Sequence, residues 1–119
     1  MQPSTFREIQ DQIQAFVEAR EWGQFHSPKN LAAAISVEAG ELLAHFRWLS
    51  EEESNDVVKH PEVRAEVDAE IADVLILTLE LADRMGIDPA EAVRRKLAVN
   101  EARYPVDKSR GRNVKYNRL

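Results

Sequence analysis

Four carboxylates could do chemistry in this chain. Glu38 and Glu41 stand at i and i+3, and Glu70 and Asp73 repeat the spacing. Residues three apart share one face of a helix. Leu31, Ile35, Glu38, Leu42, His45 and Leu49 form one stripe with three-, four- and seven-residue steps. Val63, Val67, Glu70, Val74, Leu77 and Leu81 form another. Such stripes face a core and should be apolar, yet each contains a glutamate. Burying a carboxylate without compensation is costly, and four together repel one another. No Lys or Arg lies at i±3 or i±4 of any of the four to neutralise them. A hard divalent cation meets the need. Mg²⁺ prefers oxygen ligands, keeps several waters and commonly bridges carboxylates to substrate phosphates.

Two other readings bear on these acids. A single E-x-x-E pair is common on a solvated helix face. Two pairs, both in otherwise apolar seams, are harder to place there. A di-iron or di-manganese bundle would want Glu-x-x-His motifs on two helices. No Glu in this chain is followed by His at i+3.

The elements that must position these residues are helices. No segment shows the period-2 alternation of a strand. A first helix is expected over 5–21, opened by a Thr5/Glu8 capping box and lined by Phe6, Ile9, Ile13, Phe16 and Val17. A second is expected over 28–48, with Ser27 as N-cap and Pro28 at N1. Ser50 and Glu53 offer a further capping box for a short turn near 51–58. A third helix spans 61–85, with Pro61 at N1 and Gly86 just past its end. Its second half, VLILTLEL, is apolar on most sides, which suggests a subunit interface in so small a chain. A fourth spans 89–103, opened by Asp88, Pro89 and Glu91 and stopped by Pro105. The chain after Pro105 is expected to be extended. Gly40 interrupts the second helix, where glycine costs roughly 1 kcal/mol relative to alanine. Close approach of a ligand or a neighbouring helix would account for it, and so would chance.

The 119 residues fit one domain. The formal net charge of −5 is unevenly spread. Lys108, Arg110, Arg112, Lys115 and Arg118 against Asp107 leave 106–119 at +4 and 1–105 at −9. An acidic body argues against a nucleic-acid surface, which needs clustered positive charge. The basic tail could touch phosphates, or be a solvated terminus. The chain has no cysteine, hence no disulfide or thiolate metal site, which suits a reducing cytoplasm. The start of the chain lacks the basic-then-apolar pattern of a secretory leader. No apolar run is long enough to span a membrane. A cytoplasmic protein without nucleic-acid or membrane partners is expected.

EAGE at 38–41 and EIAD at 70–73 resemble the E-x-x-E…E-x-x-D motif of the MazG-like all-α nucleotide pyrophosphohydrolases. WGQFHSPKNL at 22–31, FRWL at 46–49 and KLAVNEARYPVDKSRGRNVKY at 96–116 resemble the dCTP pyrophosphatase branch of that family. The resemblance covers nearly the whole chain. It implies an all-α, four-helix MazG-like bundle assembled across subunits, with a pyrophosphohydrolase domain over 1–105 and a basic tail over 106–119. It implies that Glu38, Glu41, Glu70 and Asp73 bind Mg²⁺; Glu38 and Glu41 are the candidates for general base, and the sequence does not choose between them. Water would attack the α-phosphorus of a nucleoside triphosphate, and pyrophosphate would leave. Trp22, His26 and Trp48 match positions that read the base. Without the resemblance, either Trp is more often a core plug than a base platform. Lys96, Asn100 and Tyr104 share one face of the fourth helix and match residues near phosphates and sugar, with Arg103 a weaker candidate. A plain surface face is the other reading of that side. The family forms dimers and tetramers, and a homotetramer with sites between subunits is the expectation for this branch.

Two departures stand out. Leu77 occupies the place of a substrate-contacting tyrosine of the branch, and Ile13 that of a histidine of the vertebrate-type enzymes. Both bear on base and sugar recognition and leave the metal chemistry untouched. The expected activity is Mg²⁺-dependent hydrolysis of dCTP or a modified dCTP to monophosphate and pyrophosphate. The alternative is a non-catalytic helical module that binds nucleotide or a partner protein.

Overall fold

The computed structural model describes residues 5–119, and all regular structure among them is helical. The helices are α1 (Thr5–Ala19), α2 (Pro28–Ala44), α3 (Glu51–Asp56), α4 (Pro61–Arg84), α5 (Pro89–Arg103) and α6 (Val106–Ser109). Short 3₁₀ turns occupy Trp22–Phe25, Val57–Lys59 and Tyr116–Arg118. The chain divides into two compact units, one up to Gly86 and one from Ile87 to Leu119.

Local chemistry fixes most of the boundaries. The Ser27 side chain accepts from the Asn30 amide at the start of α2, with Pro28 at N1. Ser50 and Glu53 close a reciprocal capping box on α3. Asp88 accepts from the Glu91 amide at the start of α5. Gly86 takes a left-handed φ of 67° beyond the end of α4, a conformation that costs glycine nothing. The side chain of Thr5 lies outside the described residues, and with it the expected Thr5/Glu8 capping box.

Three ends differ from expectation. Glu21 adopts a left-handed φ of 55°, and this breaks α1 two residues early, at Ala19. α2 stops at Ala44, and His45 to Leu49 continue as tight turns, with Leu49 N–H donating to Phe46. Ser50 must be extended to cap α3, so the chain leaves the helical path before it. The segment after Pro105 is not simply extended. Pro105 cannot continue α5, but its carbonyl accepts from Lys108 and Ser109 and so starts the single turn of α6.

In the first unit α2 and α1 both pack on α4. Ile13, Val17 and Leu79 form the buried contact of α1 with α4, with Phe6 beside it. Buried Gln10 donates to the Leu79 carbonyl at 3.0 Å. Arg7 holds Asp83 through two bonds of 3.0 and 3.1 Å. On α2 the stripe is realised: Leu31 is fully buried, and Ile35, Glu38, Leu42 and His45 are half-buried. On α4 Val67, Glu70, Val74, Leu77 and Leu81 are half-buried, while Val63 at the start of the stripe is exposed. The seams expected to carry acids therefore do so within the α2–α4 pair.

In the second unit Lys96, Asn100 and Tyr104 follow one face of α5 to its C-cap. Tyr104 packs edge-on against Tyr116 at 6.1 Å, and the Arg103 guanidinium lies 4.7 Å from the Tyr116 ring centre. No helix among the described residues is long and apolar enough to cross a membrane.

Candidate active site

α2 brings Glu38 and Glu41 to the same side, and α4 brings Glu70 to meet them. One carboxylate oxygen from each of Glu38, Glu41 and Glu70 lies within 4.8 Å of the other two. Glu38 and Glu70 each bury an oxygen, Oε2, that has no hydrogen-bond partner. Glu41 is exposed. Asp73 stays outside this close trio and is exposed, yet its charge reaches Glu38.

Desolvation pushes the Glu38 carboxyl up to about 7, with the nearby Glu41 charge next in size and Asp73 adding to it. A proton on Glu38 could bridge to Glu41 or Glu70. It would leave the remaining oxygens without a donor. One hard cation satisfies all of them at once. The donor set is oxygen only, Glu41 is exposed to solvent, and two oxygens are already desolvated. These features fit Mg²⁺ held by a few carboxylates plus water and phosphate oxygens. Gly40 lies on α2 between the two glutamates, and a Cβ there would meet no atom within 4 Å. Among the described residues of its unit, no neighbouring helix comes close to this glycine.

A second polar feature lies further along α4. Trp22 opens the 3₁₀ turn after α1 and His26 caps its end, with ring centres 6.2 Å apart. Phe16 meets Trp22 edge-on at 5.6 Å. His26 Nδ1 lies 2.5 Å from an oxygen of buried Glu80. Arg84, one turn further on, donates to the Gly23 carbonyl. Sequence reasoning missed Glu80 and Arg84. The stretch containing Glu80 reads as apolar, and its only signal was an acid seven residues after Asp73 on the same helix.

Trp48 is not part of this cluster. It is 83% exposed, and no aromatic contact joins it to Trp22 or His26 among the described residues. Its ring lies 5.5 Å from the Arg47 guanidinium. Lys96, Asn100 and Tyr104 belong to the second unit.

The acid motif and the surrounding chain have known counterparts. A family model described as MazG-like matches residues 33–119. The chain belongs to the MazG-like family. It is 40% identical to dCTP pyrophosphatase 1 of Rattus norvegicus over 115 residues, which is 97% of this chain and 68% of the rat protein. It is 36% identical to a dATP/dGTP diphosphohydrolase of Cyanophage S-2L, over 85% of this chain and 78% of the phage protein. Among solved structures, a pyrophosphatase from Archaeoglobus fulgidus superposes with a TM-score of 0.81 at 42% identity, covering 88% of this chain and 96% of that one. The MazG-like chain described here thus shares both its helical fold and its sequence with proteins named for cleaving phosphoanhydrides.

Proposed function

We propose that this chain is a Mg²⁺-dependent nucleoside triphosphate pyrophosphohydrolase that converts dCTP or a modified dCTP to the monophosphate and pyrophosphate. The observation that carries the reading is the carboxylate trio on the α2–α4 seam, with two buried oxygens that lack any donor. A scaffold has no use for such groups. The similarity to dCTP pyrophosphatase 1 over nearly the whole chain supports the base assignment.

In this reading Glu38, Glu41, Glu70 and Asp73 hold Mg²⁺. An ion held there would neutralise charge on the polyphosphate and make water more acidic. Glu38 or Glu41 takes the proton from the attacking water. The water oxygen bonds to the α-phosphorus, and the bond to the bridging oxygen of pyrophosphate breaks. The developing negative charge leaves on pyrophosphate. Trp22 and His26 line the base, and Trp48 joins them only from another subunit or after a rearrangement. Lys96, Asn100 and Tyr104 are assigned to phosphates and sugar on the resemblance alone. The protein works as a homo-oligomer, a tetramer in this reading, and acts in the cytoplasm.

The test is Glu41→Gln, which keeps shape and removes charge. Mg²⁺-dependent turnover should fall by roughly 100-fold or more, with the oligomer intact. Full activity in this variant would remove the metal-site assignment. The non-catalytic binding module becomes the better account if the wild-type protein binds triphosphates without cleaving them.

A further inference from the structure

Glu80 is 4% exposed. A buried carboxylate is costly unless it is paired, and Glu80 takes no part in the metal trio. It lies seven residues beyond Asp73, two helical turns or about 10 Å along α4. Its partner is His26 Nδ1, 54 residues away in sequence. The turn carrying His26 is fastened from several sides. Arg84 donates to the Gly23 carbonyl, Asn30 Nδ2 donates to the Phe25 carbonyl at 2.9 Å, and the His26 amide donates to Gly23. Phe16 braces Trp22 beside it. The imidazole is therefore held in place by the fold rather than waiting on a ligand to order it.

We propose that Glu80 is a positioning residue that fixes the proton of His26 and thereby selects bases with an exocyclic amino group. The inference rests on the reading of Trp22 and His26 as the base-facing turn, and it names what that turn recognises. An ionised carboxylate can only accept. It therefore holds a hydrogen on Nδ1. With a single proton on the ring, Nε2 is left as a bare lone pair. No hydrogen bond engages Nε2 among the described residues, and the side chain is 23% exposed, so that nitrogen is open to a ligand. A lone pair there accepts from the amino group of cytosine or adenine. It opposes the carbonyl oxygen that uracil presents in the same place, acceptor against acceptor. Sites built around one hydrogen bond reject an analogue that cannot make it, because the buried partner is left unpaired.

Two measurements test this. The first is the imidazole ¹⁵N spectrum of the wild-type protein at about pH 8, with His26 resonances identified by their loss in His26→Asn. A hydrogen on Nδ1 alone is expected, and a hydrogen on Nε2, whether instead of or in addition to one on Nδ1, overturns the proposal without reference to any substrate. The second is the ratio of kcat/KM for dCTP over dUTP in wild type, Glu80→Leu and Glu80→Gln. Glu80→Leu should lower the ratio at least tenfold, with the loss for dCTP seen in KM rather than kcat. Glu80→Gln retains an acceptor oxygen and should recover most of the ratio, and it also serves if the leucine variant does not fold. A purely structural role would depress both substrates alike and leave the ratio unchanged, which overturns this proposal alone. Absence of turnover of any triphosphate by wild type overturns both this proposal and the reading beneath it.

Discussion

Glu38 shows how much one side chain can report. Its carboxyl is pushed up to about 7 by desolvation and by the Glu41 charge, so the folded chain holds a proton there that the unfolded chain releases near 4.5. Between those values the native state binds more protons, and stability falls as pH rises. The metal-free protein should therefore lose thermal stability as pH is raised through that window. Saturating Mg²⁺ should offset the loss, and Glu38→Gln should flatten it. Melting curves at stepped pH, with chelator and with Mg²⁺, check all three. A metal-free stability that rises steadily across the window would contradict this account of Glu38. The acids themselves were legible in the sequence, because a charge inside an apolar repeat is a local anomaly. Glu80 was not. It sits in a run that reads as apolar on most sides, and its partner is a histidine 54 residues away.

At the scale of elements, α2 and α4 were legible because caps and stripes agree on both. Ser27, Pro28 and Pro61 mark the starts, and Gly86 marks a stop. The errors came where a tertiary demand overrides local pattern. The extended cap at Ser50 shortens α2, and the left-handed Glu21 cuts α1 so that the Trp22 turn can form. Gly40 is an element-scale test. With nothing near its absent Cβ, Gly40→Ala should stabilise the metal-free protein by about 0.5–1 kcal/mol. That is roughly 2–4 °C in Tm for a domain of this size, read by calorimetry in chelator. A fall in Tm would mean that something other than the described residues occupies the space. Arg84 belongs to the same scale. Arg84→Ala removes a bond to Gly23 and should raise KM for the triphosphate several-fold while leaving Mg²⁺ affinity unchanged, as steady-state kinetics and metal titration would show.

At the scale of the whole molecule, α4 leaves apolar side chains on its surface. Ile71, Leu75 and Ile76 on α4 are exposed, Leu75 by 51%. Apolar side chains exposed on neighbouring turns of a helix are candidates for an interface, in keeping with the homo-oligomer proposed above. Leu75→Glu should therefore reduce the mass in light scattering to that of one 13.6 kDa chain, whereas an unchanged oligomer would place the interface elsewhere. The fold class was legible from helical periodicity, but the partners of an exposed face cannot be read from one chain's pattern. The most direct test of the central claim is product analysis on a panel of nucleoside triphosphates, with Mg²⁺ and with chelator. Monophosphate plus pyrophosphate is the expected outcome, only with Mg²⁺, and fastest from dCTP or a 5-substituted dCTP. The same products from a different base would keep the chemistry and move the specificity. No cleavage of any triphosphate by the folded protein would contradict the account.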